Sequence, residues 1–536
     1  MDHSSTHSKF SSSMSSLQIS DVDSPDACGF VLTDSTIPMV TGYEHTDLLL
    51  SAPIKESQIP QPPRRVARGH GSHAPTHTTA SPRILGTLSV VAITFFFGCA
   101  GPVGSEDAVS TAGPLVALIM YLVYPIVFTF PYGAVVAELC TTFPEDGGFP
   151  IAVKNAFGPF WGIQVGYWSW IGNIVSTAIY PTYLMNLMLY HFAMDMPSSV
   201  AQYFFKAGLA VLLSLPTFLG TRVVSTGGVA FLAVVSILTL VYIIWGFAAA
   251  DSFDQLSQVR QQDTRYNSEM NVMENSGPTD IDWFSLLDTV FWNYDGVQMA
   301  SVFGGQVLIP ARVYPRAISI TIALTVFCYV LPIPVTVASN HVDWTVLGDY
   351  NTYAETATAI GGQTLHIIMI IVNFVSLIGM SVSSVFCEST EIAGMATSGL
   401  LPPALGRRSG RFDSPFTSAL FTVGFILILV ALDTEFLLPV TNAFASLVVI
   451  TIFAAGIQLR RRFPYFARPA TVPGGPYVLA GIAFIPVGVC GVMIVRTLID
   501  SLSSLFTVVG FLVPGVLYSI LRSYQESKSA QGQLVM

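Results

Sequence analysis

Two long apolar stretches of the chain carry carboxylates where a passive membrane anchor would have none. The first reads FFFGCAGPVGSEDAVS (Phe95 to Ser110) and places Glu106 and Asp107 just after Gly98, Gly101, Pro102 and Gly104. The second reads TVFWNYDGVQMASVFGGQV (Thr289 to Val307), in which Asn293, Tyr294, Asp295 and Gly296 interrupt the hydrophobic run beside Trp292. Gly and Pro inside a membrane segment free backbone N–H and C=O groups, and such backbone persists at membrane depth only where it lines a cavity or is packed in protein. Breaks at corresponding places in two halves of a chain point to a transporter binding site. Carboxylates at such breaks suit ammonium groups, because a cation offsets the cost of placing a negative charge in a low-dielectric site. The plainer readings are a Gly/Pro kink for close packing, N-terminal capping by Glu106 and Asp107 behind Ser105, and a cap role for Asp295.

Further candidates lie on two other segments. GYWSWIGNIVSTAIYP (Gly166 to Pro181) offers Trp170, Asn173 and Tyr180, and aromatic faces attract alkylammonium groups. The competing role for those aromatics is packing. Glu388 and Glu391 stand one helical turn apart, and Glu388 is a candidate second ammonium partner or proton carrier. The alternative is that both reach the aqueous interface. FPEDGG (Phe143 to Gly148) has turn chemistry and is expected to gate, not to bind. Ser381, Ser383 and Ser384 can be read as hydroxyl ligands of a sodium ion, though such residues more often bond their own helix backbone. No HExxH, GxSxG or P-loop pattern occurs, and no cofactor, metal site or catalytic residue is expected.

The elements that must hold these residues are membrane helices. Charged residues make up 10% of the 536, hydrophobic residues 52%, and mean hydropathy is +0.60. A soluble domain carries roughly 25% charge, so most soluble folds are excluded and lipid is the solvent of most of the chain. The net charge of −10 argues against nucleic acid. Twelve apolar segments are long enough to cross a bilayer: 84–112, 114–139, 157–190, 201–220, 224–249, 283–307, 315–338, 364–395, 415–433, 436–458, 476–499 and 503–522. With the N-terminal tail inside, 19 of the 23 Lys and Arg fall on the inner side and four (Lys206, Arg260, Arg265, Arg496) on the outer, so both termini are expected in the cytoplasm. The outer loop Asp251 to Asp282 holds seven acids and two bases. Residues 1–82 read as a disordered tail, 83–523 as the transport domain and 524–536 as a short cytoplasmic tail. In the first tail, EHTDLLL (Glu44 to Leu50) has the spacing of an acidic di-leucine sorting signal, and PPRRVAR (Pro62 to Arg68) is a basic patch. Either is also ordinary tail sequence. Of six cysteines, Cys28 lies in the tail and five lie within or at the end of apolar spans, none in an outer loop, so neither a disulfide framework nor a disulfide-linked partner chain is expected.

GPVGSEDAVSTAGPL (Gly101 to Leu115), the stretch from Val136 to Trp170, FWNYDG (Phe291 to Gly296), GGQVLIPARVYPRAI (Gly304 to Ile318) and GLLPPAL (Gly399 to Leu405) resemble the amino acid/polyamine/organocation superfamily. Within it they resemble the polyamine uptake branch related to the L-type amino acid transporters. The resemblance covers roughly Leu85 to Leu521. It implies an all-α polytopic membrane protein of about twelve helices, a five-plus-five inverted repeat with broken helices 1 and 6, and alternating access around a midplane site. Amino acid carriers of this fold hold the substrate carboxylate on backbone N–H groups at the break in helix 1. Here Pro102 removes one N–H and Glu106 and Asp107 bring negative charge to that place, which favours an organic cation without a carboxylate. The expected binding residues are Gly101, Gly104, Glu106, Asp107, Trp170, Asn173, Tyr180, Trp292, Asn293, Tyr294, Asp295 and Glu388. Where plant-type polyamine carriers lead one to expect acids, this chain has Ser176 and Gln298. The span-5 Lys of some proton-driven members is absent, and the expected drive is a proton gradient or the membrane potential. Import of putrescine- or spermidine-type cations is expected, with carriage of cationic or large neutral amino acids as the alternative. The plasma membrane is the expected location, with endosomal or vacuolar membranes as alternatives.

Overall fold

The computed structural model describes residues 82–534 apart from 100, 194, 197, 251, 268–271, 340–342, 349–350, 433–437 and 501. The tail motifs and Cys28 lie outside the described residues. Each of the twelve expected segments corresponds to helix. Span 1 is split into Thr87–Gly98 and Glu106–Ala112. Span 2 is Pro114–Thr142, span 3 Pro159–His191, span 4 Ser199–Leu219 and span 5 Thr221–Ala248. Span 6 begins as Trp283–Tyr294, and span 7 is Pro310–Ala338. Span 8 belongs to a helix Thr352–Thr397, and span 9 is Phe416–Leu429. Spans 10, 11 and 12 are Leu438–Arg462, Pro476–Asp500 and Leu502–Leu534.

Burial sorts these helices into a core and a periphery. Of the apolar windows, 72% of span 10 is buried but only 22% of span 4, 28% of span 11 and 17% of span 12, so the last three present their side chains to lipid. Exposed Ile126, Phe204, Phe484, Ile499 and Phe506 are then ordinary bilayer-facing residues. The first half of span 1 sits inside, packed by spans 5, 7 and 8, and its residues Val90 to Phe97 are all buried.

The structure departs from the sequence expectation in several places. After Tyr294, span 6 does not resume as α-helix. Gly296 adopts φ +108°, and the chain continues as 3₁₀ turns Val297–Ser301 and Gly304–Gln306. Asp295 therefore closes the first half-helix and does not cap a second one. The Thr352–Thr397 helix begins twelve residues before the expected 364, with a corner at Gly361 and Gly362, where φ is +62°. Thr352–Ile360 is thus a separate short segment beside the acidic loop. A further helix, Phe149–Phe157, occupies the connection between spans 2 and 3. The acidic loop adds a short antiparallel pair, Arg265–Asn267 with Val272–Glu274, to a fold that is otherwise helical as expected. The last helix runs to Leu534 with no break at 523. Polar Gln, Glu, Lys and Ala have adequate helix propensity to carry it past the apolar window, which ends at Gln525.

Asp282 starts span 6 firmly. Its carboxylate accepts from the Phe284 and Ser285 N–H groups, both at 3.1 Å, and from the Ser285 hydroxyl at 2.6 Å. These bonds, the Ser285 hydroxyl first, hold the Asp282 carboxyl below the usual aspartate range.

Candidate substrate site at the paired breaks

The two breaks touch. A Cβ added at Gly98 would stand 2.3 Å from the Asp295 carbonyl oxygen, and one added at Gly296 would stand 2.7 Å from the Phe97 ring and 3.2 Å from Gly98 Cα. Only glycine permits this approach, and at Gly296 the positive φ requires it as well. Asn293 fastens the pair: its Nδ2 donates to the Gly104 carbonyl at 2.7 Å and to the Tyr121 hydroxyl at 2.6 Å. Ser105 then ties the break to the Thr352–Ile360 segment through a 2.5 Å contact with the Tyr353 hydroxyl.

Two adjoining cavities open at this junction. The inner one encloses about 540 Å³ and is lined by Gly98 and Phe97 of span 1, Asn173, Ser176 and Tyr180 of span 3, and Trp292 and Asp295 of span 6. The outer one, about 780 Å³, lies toward the acidic loop and is lined by Gly104, Glu106, Asp107, Tyr183 and Asp288 among others. Tyr180, Trp292, Met380 and Asn442 line both, so these side chains form the boundary between the two.

Glu106 is 3% exposed, and its Oε2 accepts from the Gly104 N–H at 2.8 Å. Ser105 makes no side-chain cap bond to this half-helix; its hydroxyl donates to the Pro102 carbonyl at 2.7 Å. The freed amide at the break is thus occupied by the chain's own carboxylate. Asp107 is exposed in the outer cavity. Asp295 accepts from Gln298 Nε2 at 3.2 Å.

Of the expected residues, Gly104, Glu106, Asp107, Asn173, Tyr180, Trp292 and Asp295 are brought to the cavities. Five line neither of these two cavities, although Asn293 and Tyr294 border a third, of about 260 Å³, with Gly98 and Asp295. Gly101 turns at φ +70° against Val235 and Ser376, a backbone role. Trp170 stacks on Phe421 at 5.3 Å and meets Phe425 edge-on at 5.0 Å, packing span 3 on span 9. Asn293 is the clamp just described. The Tyr294 hydroxyl donates to the Tyr121 carbonyl at 2.8 Å and its ring stacks on Tyr124, so it anchors span 6 to span 2. Glu388 lies behind the cavity, accepting from the Thr177 hydroxyl at 2.5 Å.

Sequence reasoning missed Asp288 and Asn442. Asn442 Nδ2 donates to Asp288 Oδ1 at 2.8 Å, joining spans 6 and 10 at the outer cavity. A signal for Asp288 was present: Asp288, Trp292 and Asp295 recur at i, i+4 and i+7, one helical face.

A multi-pass helical membrane protein with two abutting helix breaks around an acid-lined cavity belongs to the class of transporters that bind a small molecule between discontinuous helices. The chain belongs to the amino acid permease family, whose model matches residues 85–518. It is a transporter and not an enzyme. Among similar proteins, the polyamine transporter RMV1 of Arabidopsis thaliana is 28% identical over 412 residues, covering 76% of this chain and 80% of that one. The probable polyamine transporter At1g31830 of the same plant is 27% identical over 444 residues, 82% and 85% of the two chains. The polyamine transporter PUT1 of Oryza sativa subsp. japonica is 30% identical over 403 residues, 74% and 71% respectively.

Proposed function

We infer that this transporter imports polyamines, organic cations of the putrescine and spermidine type, by alternating access at the paired breaks. The observation that carries the reading is the bond from the Gly104 N–H to Glu106 Oε2. An amino acid substrate needs that amide for its own carboxylate and would meet Glu106 as a like charge. An ammonium group meets Glu106, Asp107 and Asp288 in the outer cavity and Asp295 in the inner one, with the Trp292 and Tyr180 rings between. The names of the plant relatives agree with this reading.

The side of the molecule rich in Arg faces the cytoplasm, together with both termini, in the plasma membrane. An inside-negative potential then favours entry of a cation by about 2.3 kcal/mol per charge per 100 mV, and a proton gradient adds to it. The test is uptake into proteoliposomes of labelled putrescine, spermidine, arginine and leucine, with and without a pH gradient. Competition by putrescine and spermidine is expected. Displacement of label by arginine or leucine and not by putrescine would replace this reading with that of an amino acid carrier.

A further inference from the structure

Behind the cavity, spans 3 and 8 enclose a pair of carboxylates that line neither site cavity. Glu388 and Glu391 are each 0% exposed and one helical turn apart on span 8. Glu388 Oε1 accepts from Thr177 and Glu391 Oε2 from Ser169 at 3.1 Å, while Glu388 Oε2 and Glu391 Oε1 have no hydrogen-bond partner. The ionisable neighbours are Tyr180 on span 3 and Cys387 on the same helix. Among the described residues, none of the elements packed against span 8 presents a Lys, Arg or His to the pair. Two unpaired anions side by side in a dry site are not tolerated, whereas a carboxylic acid beside a carboxylate is. The unpartnered oxygens are where a proton is carried.

The pair is also wired to the cavity. Asn173, which lines it, donates from Nδ2 to Ser169 Oγ at 3.2 Å, and Ser169 in turn contacts Glu391. Ser169 has a second acceptor, Met299 Sδ of span 6 at 3.7 Å, and Asn173 Nδ2 stands 3.6 Å from the same sulfur. A hydroxyl has one hydrogen. When Glu391 is ionised, that hydrogen belongs to its Oε2. When Oε2 is protonated, the acid O–H donates to Ser169 and the serine hydrogen is released toward Met299, four residues past Asp295 on the broken helix. Proton occupancy and the state of span 6 are thus joined through one side chain.

We propose that Glu388 and Glu391 form a proton-binding site that couples a proton gradient to transport, with Ser169 as the positioning residue that relays its occupancy to span 6. The proposal rests on the reading of the chain as a cation importer only for its choice of probe. A proton taken from the outer side converts one carboxylate to the acid, and its release on the inner side restores the anion, so one proton moves per cycle and nothing is oxidised or reduced.

The test uses the full chain in proteoliposomes with the potential clamped at zero by potassium and valinomycin, a pH dye inside, and putrescine as probe. Wild type should acidify the lumen as putrescine enters, and an acid outside should speed uptake. In Glu391→Gln that stimulation should fall roughly tenfold, the effect of about 1.4 kcal/mol. Putrescine counterflow from preloaded vesicles should persist, which shows that the variant is folded. Wild-type proton movement in Glu391→Gln and in Glu388→Gln would overturn the proposal. So would a wild type that exchanges putrescine without moving protons, an outcome that leaves the polyamine reading intact. Conversely, proton movement with arginine or leucine, lost in Glu391→Gln, in a protein that ignores putrescine would uphold the proton site and end the polyamine reading. Should both Gln variants fail counterflow, Ser169→Ala decides: it keeps both carboxylates and should shift the pH of half-maximal uptake, and an unchanged pH profile would overturn the relay.

Discussion

Charge, not shape, is the deciding property of Glu106. Gln in its place keeps the length and an oxygen to accept from the Gly104 N–H, yet removes the charge that an ammonium group would meet. Glu106→Gln and Asp295→Asn should each abolish polyamine uptake while the protein reaches the membrane folded, and wild-type affinity in both would sink the site assignment. Asp288 tests the substrate's length. It lies seven residues before Asp295, about 10 Å along a helix, a separation suited to the outer nitrogens of a triamine more than to those of a diamine. Asp288→Asn should therefore raise the KM for spermidine roughly tenfold and that for putrescine distinctly less; equal effects would mean that Asp288 serves only to hold Asn442. Glu106, Asp107 and Asp295 were legible in the sequence because a carboxylate beside Gly and Pro in an apolar run is rare. Trp170 and Tyr294 line neither of the two main cavities, because residue type does not say which flank of a helix an aromatic occupies, and both pack on neighbouring spans.

The breaks in spans 1 and 6 act as one element, because each is built on the other. Their existence was readable from Gly and Pro content, but their contact was not, since it brings together residues nearly two hundred positions apart. The missing second half-helix of span 6 has the same origin. The Gly147 N–H donates to the Val302 carbonyl at 2.7 Å and the Gly305 N–H donates to Asp146 at 3.0 Å, so loop backbone and side chain replace helical partners there. A local propensity argument sees an apolar run and extends the helix; tertiary hydrogen bonds overrule it. Gly98→Ala is the sharpest test of the contact. A methyl 2.3 Å from a backbone oxygen cannot be relieved by turning a side chain, so the breaks must separate. Substrate affinity should fall at least tenfold with the helices still membrane-inserted, and a thermal-shift assay with and without putrescine would show the loss as a vanished ligand stabilisation.

At the scale of the whole molecule, loop backbone and ion pairs cross the Arg-rich side, while the larger of the two site cavities lies toward the acidic side. Residues 143–148 plug the Arg-rich side: Gly147 lies against the backbone of Gly394 on span 8, Gly148 against Ser301, and Asp146 pairs with Arg408 at 3.1 Å from the loop between spans 8 and 9. Glu138 adds a second bond across the same side to Arg460, with Arg468 at 3.4 Å. Burial pushes the Asp146 carboxyl above the usual aspartate range, against the pull of the Arg408 guanidinium and of bonds from Gln306 and Gly305. Desolvation thus outweighs attraction, which makes the two halves of the pair unequal. Removing Arg408 leaves the buried Asp146 carboxylate with its Gly305 and Gln306 bonds but without that guanidinium, a loss of up to about 3 kcal/mol, whereas Asp146→Asn removes the charge and keeps an oxygen for the Gly305 N–H at little cost. Arg408→Ala should therefore open the Arg-rich side. Reaction of an impermeant maleimide, applied from that side, with a cysteine introduced at Ser301 should quicken in Arg408→Ala and stay near the background rate in Asp146→Asn. The double variant should return toward that background, because the buried charge is gone; equal quickening in both single variants would mean that mutual attraction, and not the avoided cost of burying the carboxylate without its guanidinium, holds the plug shut.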